Sequence, residues 1–232
     1  MTVIDLLRGV HIAAGSLALV SLWVPLVSRK GGAVHRRAGR VFVIAMAVLT
    51  LAAIGASVWR LTYDTDPDRR TWAAYLLFVA VLSGSQVSAG VRALRGKTRT
   101  GPQLHPWDVG IALLLLVSAV AVFAWGLRAG IPLFVGFAPV GIAIGSMQLA
   151  YWLRPPRNRM HWFFEHMFMM IGAGIGTLSA FSIVNAGHLG LRPDSLILWN
   201  GPTVLGLAAW AVWRVYYGRL FRRQERELPR AA

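Results

Sequence analysis

The residues of this chain that could do chemistry are a few histidines and carboxylates set in apolar surroundings. The sharpest group is H-W-F-F-E-H, residues 161 to 166. On a helix His161 and Glu165 are four apart and share a face, while His166 sits beside Glu165 and roughly 140° around the axis from His161. Zincin signatures place two histidines four apart so that both reach one metal, and this motif spaces them five apart. A carboxyl about one turn into an apolar segment is costly unless it is paired, protonated or metal-bound, which makes Glu165 a functional candidate together with His166. His35, His105 and His161 each follow a basic loop and precede an apolar segment. Three converging imidazoles would suit a catalytic zinc with one open position, although a histidine at a membrane interface, like an arginine, also simply suits the headgroup zone.

The elements that must position these groups are set by charge spacing. Seven stretches carry no charged residue: 9 to 28, 41 to 59, 71 to 91, 109 to 127, 129 to 153, 167 to 191 and 195 to 213. A helix needs roughly 20 mostly apolar residues to cross about 30 Å of hydrocarbon, and irregular backbone cannot face lipid. The expected fold is therefore all-α: a polytopic membrane protein of seven transmembrane helices. The sixth span is expected from near Met160 to near Val184, with 185 to 198 as a loop. The chain then divides into a transmembrane domain, 1 to 218, and a basic cytoplasmic tail, 219 to 232. Nothing near Asp5 and Arg8 has the pattern of a cleavable signal, so the first run is expected to remain as a span.

Orientation follows from the basic residues. Of the 24 lysines and arginines, 18 fall in alternate loops and the tail, among them Arg36, Arg37, Arg40, Lys97, Arg99, Arg219, Arg223 and Arg230. The other side has 6, offset by Asp64, Asp66, Asp68 and Asp194. The positive-inside rule puts the first set in the cytoplasm, with the N-terminus outside and the C-terminus cytoplasmic. Trp59, Trp72, Trp107, Trp152, Trp162 and Trp199 fall near span ends, where interfacial aromatics are expected. The net charge of +15 is thus an orientation signal rather than a nucleic-acid footprint, because 56% of the 232 residues are apolar and only 14% charged. A basic cytoplasmic face would meet anionic lipid headgroups.

Several chemistries are excluded. With no cysteine, disulfides, iron–sulfur clusters and thiolate-ligated haem are absent. The only lysines, Lys30 and Lys97, lie in loops, so no retinal Schiff base forms within a span. Gly172, Gly174 and Gly176 follow no strand and are not a dinucleotide fingerprint. Gly141 and Gly145, four apart, have the spacing that lets helices approach closely. Ser83, Ser85, Gln86, Ser88, Gln148 and Tyr151 lie towards the cytoplasmic half, as interhelical hydrogen bonds or the lining of a cavity.

At H-I-A-A-G (11 to 15), R-K-G-G-A-V-H-R-R-A-G-R-V-F-V-I-A-M (29 to 46), F-E-H-M-F-M-M-I-G-A-G-I-G-T-L-S-A-F-S-I-V-N (164 to 185) and W-N-G-P-T-V-L-G (199 to 206), the chain resembles a large family of uncharacterised bacterial multi-pass membrane proteins. The resemblance implies that His11, the basic loop with Lys30, Gly31, His35, Arg36, Gly39 and Arg40, then Asp108, His166 and Asn185, occupy motif positions. It implies the bacterial inner membrane and brings no activity with it.

Together these readings favour a cytoplasmic-side site of His35, Asp108, Glu165 and His166, with Glu165 and His166 catalytic, His161 a further ligand, and Arg36 and Arg40 holding an anionic group. His and carboxylate ligands suit zinc, iron or manganese. His11 is a cofactor-binding candidate at a separate site, since rise per residue sets its depth around 10 Å from that of His166, too far for both to hold one haem iron. The favoured reading is a metal or haem enzyme acting on a lipid or quinone. The alternatives are a transporter or channel in which Glu165 and His166 gate protons or ions, and a scaffold whose polar groups only join helices.

Overall fold

Each apolar run forms a helix over most of its length, and several helices extend past their runs. The structure is a computed structural model that describes residues 2–192 and 196–227. Asp194, Arg230 and the end of the expected tail, 228–232, lie outside the described residues, as does the side chain of Trp199. Among the described residues the fold is all-α, with no strand and seven helices: α1 (Val3–Val27), α2 (Ala33–Tyr63), α3 (Pro67–Ala93), α4 (Pro106–Ala129), α5 (Pro132–Leu153), α6 (His161–Val184) and α7 (Leu196–Glu227). Six of them, α1 to α6, are long and apolar enough to cross a membrane.

Side-chain caps mark the starts of α1, α3 and α4. Thr2 and Asp5 form a reciprocal box at the start of α1, the Asp5 N–H donating to Thr2 Oγ1 at 3.3 Å and the Thr2 N–H to Asp5 Oδ2 at 2.9 Å. Asp66 Oδ1 accepts the N–H groups of Asp68 at 2.9 Å and Arg69 at 3.3 Å, just where Pro67 opens α3. α4 closes on Gly130 in the left-handed region, φ 65°, where a side chain would be strained. At the other end of the chain, α7 begins inside the loop expected to reach 198 and runs on through the expected boundary at 218. Basic residues such as Arg219 and Arg223 are good helix formers.

The chain divides into two compact units: Met1–Ala89 with Arg99–Pro156, and Gly90–Thr98 with Arg157–Ala232. The first holds two helical hairpins, α1–α2 and α4–α5, and α3 up to Ala89. Small residues set its close approaches. A Cβ on Gly145 would meet Leu116 Cγ at 2.8 Å, one on Gly141 would meet Phe78 and Ala119, and one on Gly84 would meet Thr50. The Gly141/Gly145 pair thus serves the packing role its spacing suggests. Phe78, Leu115, Phe134 and Trp152 are fully enclosed. Large apolar side chains such as Val20, Ile44, Leu51 and Val117 are exposed, a pattern that water would penalise and hydrocarbon accepts. The second unit is the α6–α7 hairpin with the last turn of α3. Aromatic rings fill it: Phe163 lies 4.9 Å from Tyr217 and 5.2 Å from Phe221, and Phe168 lies 5.3 Å from Trp210, all between ring centroids.

Candidate functional site

Within the first unit the basic loop closes the α1–α2 hairpin. Pro25 and Leu26 lie in the last turn of α1, where carbonyls have no helical donor left. Lys30 Nζ donates to Pro25 O at 2.8 Å and to Leu26 O at 2.7 Å, and His35 Nδ1 donates to Pro25 O at 3.2 Å. A cation at a helix C-terminus also meets the negative pole of the helix dipole. Gly31 turns the chain at φ 74°, and its carbonyl accepts from the Arg36 guanidinium at 2.6 Å. Arg40 Nε in turn donates to Arg36 O at 3.4 Å. Lys30, Gly31, His35, Arg36 and Arg40 are therefore the joints of one helix-closing turn. Burial of the Lys30 ammonium pushes its pKa below the ordinary lysine range.

Two more histidines of this unit hold backbone. His105 caps α4, its Nδ1 accepting from the Trp107 N–H at 3.2 Å, and so carries its proton on Nε2 when neutral. His11 lies on α1 against the backbone of Leu49 on α2. Asp108 is buried in the first turn of α4, where the positive pole of the helix favours a carboxylate. The polar row on α3 joins helices, Gln148 Nε2 donating to Ser85 Oγ at 3.3 Å and Trp107 Nε1 to Ser88 Oγ at 3.0 Å.

One basic residue that its sequence position did not single out does the same work for α5. The Arg99 guanidinium donates to Arg154 O at 3.0 Å and Trp152 O at 3.4 Å, and it stacks 4.6 Å from the Tyr151 ring. An aromatic pair just before a helix-ending Arg-Pro-Pro is the only sequence signal for it.

The second unit carries H-W-F-F-E-H, and its side chains point to three different neighbours. Phe163 and Phe164 pack on α7. Trp162 lies under the Lys97 ammonium, 4.5 Å from the ring centroid. His166 Nδ1 bonds to Gly90 O at 2.9 Å. A carbonyl only accepts, so Nδ1 carries the proton and Nε2 is the nitrogen without one in the neutral ring. Gly90 permits that approach, because a Cβ there would collide with Met170 and crowd Met169 Cβ at 3.2 Å. Glu165 is partly enclosed, with its Oε1 shielded from the surface, and His161 is buried at the start of α6.

His35, Asp108, Arg36, Arg40 and His11 thus belong to the first unit, and His161, Glu165 and His166 to the second. Among the described residues no three His, Asp or Glu side chains are grouped so as to hold a metal ion. No family model, no curated protein and no solved structure matches the chain.

Proposed function

We propose that this chain is a seven-span protein of the bacterial inner membrane, with its N-terminus outside and its C-terminus cytoplasmic, that exchanges protons at Glu165 and His166 of α6 in the course of transport. The uncharacterised multi-pass family that it resembles belongs to the same reading. The observation that carries it is the 2.9 Å bond from His166 to Gly90 O. That bond holds the imidazole in one orientation and one tautomer, so that Nε2 takes up a proton to give imidazolium and returns it to give the neutral ring. Glu165, the next residue, contributes a carboxylate that takes up and releases a second proton. Ionisable chains of this kind within spans mark proton relays, and a relay needs two groups where a catalytic zinc needs three ligands.

The test is dissipation of an imposed pH gradient in liposomes that contain the purified protein and an entrapped pH-sensitive dye. His166→Asn keeps an amide N–H for Gly90 O and removes the base. Wild type is expected to exceed it on the order of a hundredfold. Equal rates, with both proteins folded, would refute the proposal.

A metal or haem enzyme acting on a lipid or quinone is the second reading. It is favoured by one observation: His166 donates Nδ1–H to a backbone carbonyl, the arrangement that orients a ligating imidazole. Its signature is zinc or iron, or a haem absorption band, in the purified protein.

A further inference from the structure

The tail of the chain is a helix, and its two sides differ in kind. Trp210, Arg214, Tyr217 and Phe221 lie on the side of α7 that packs against α6, with Arg214 stacked 5.4 Å from the Phe164 ring. Val212, Val215, Tyr216, Arg219, Leu220 and Arg223 follow at spacings of three and four on the other side. They line an open groove of about 750 Å³. Along it the chemistry changes in one direction: valines first, then a tyrosine, then two arginines with a leucine between them. The charge-free run ends at Trp213, so the change falls where α7 would pass from hydrocarbon into the headgroup layer.

We propose that this groove binds one anionic phospholipid, its phosphate held by Arg219 and Arg223 and its acyl chain laid along Val212 and Val215. A guanidinium presents two parallel N–H donors that match two phosphate oxygens, and the spacing of four sets both arginines one turn apart on one face. Tyr216 stands at the depth where amphipathic rings favour the interface. The charge is complementary and the apolar half matches an acyl chain, whereas a free phosphate would leave the valine half of the groove unused. The inference rests on the reading that α7 spans the membrane, because only then does the groove straddle the interface.

The full chain in detergent is titrated with phosphatidylglycerol and with phosphatidylcholine, and bound lipid is counted by native mass spectrometry. Phosphatidylglycerol should be retained in preference, and Arg219→Ala with Arg223→Ala should weaken it about thirtyfold. Arg157→Ala with Arg159→Ala removes the same charge from exposed positions of the same unit and should change binding less than about threefold. Equal loss in both pairs, or equal retention of the two lipids, would overturn the site. Because the chain has no cysteine, Leu207→Cys reports separately on the span. Protection of that thiol from a membrane-impermeant maleimide, alongside failed lipid selectivity, would defeat the lipid site alone. Free labelling from the aqueous phase would defeat the spanning reading and the lipid site with it.

Discussion

Glu165→Gln is expected to leave the protein folded and to lower proton flux in liposomes on the order of a hundredfold. Glutamine has the shape of the protonated acid and cannot ionise, so the variant removes proton exchange with little change of packing. A carboxylate kept only to join helices would instead lower stability when replaced and leave the flux unchanged. The flux separates the readings. Wild-type flux in Glu165→Gln makes the carboxylate structural, whereas lost flux with an unchanged unfolding midpoint makes it functional.

The largest effect on stability is expected at Gly126. A Cβ there would meet Phe134 Cβ at 2.6 Å, the Val135 backbone nitrogen at 3.0 Å and Val135 Cγ2 at 3.1 Å. Two of those three atoms are fixed by the backbone of α5, so the α4–α5 hairpin must open to admit a side chain. The Gly126 carbonyl also accepts from the Ile131 N–H at 2.9 Å, which ties the same residue to the turn that closes the hairpin. Gly126→Leu should therefore cost about 3 kcal/mol, the upper end of overpacking penalties. Gly110→Leu is the control, on the same helix with open space around it. It gains up to about 1 kcal/mol of helix propensity without a clash. Thermal unfolding in detergent, followed by tryptophan fluorescence, should separate the two variants clearly. Similar midpoints would show that the close approach of α4 and α5 is not what holds the hairpin.

Much of this fold was legible in the sequence because lipid imposes a simple rule. Charge-free runs of 19 to 25 residues located all seven helices, and the sixth was placed correctly despite Glu165 and His166 near its start. The ends were less legible. They depend on capping atoms such as Asp66 Oδ1 and His105 Nδ1, which extend helices into charged sequence that hydropathy counts as loop. The site was harder still. Lys30, His35 and Arg36 have the composition of an anion or metal site, and only three-dimensional placement shows them spent on the carbonyls of Pro25, Leu26 and Gly31. The partner of His166 lies 76 residues away, and Arg99 reaches a carbonyl 55 residues away. No local spacing encodes such pairs. The groove on α7 was missed for a different reason, since a basic end of the chain reads as a solvated tail until its helical register is known.

Infrared difference spectra of the protein in lipid, recorded as the pH is stepped, test the central claim most directly, because they follow the carboxyl groups themselves. The proposal predicts a protonated-carboxyl C=O band that grows as the pH falls, disappears in Glu165→Gln, and is altered in position or midpoint by His166→Asn. A difference spectrum that Glu165→Gln leaves unchanged would contradict it, for Glu165 would then keep one protonation state and exchange no proton.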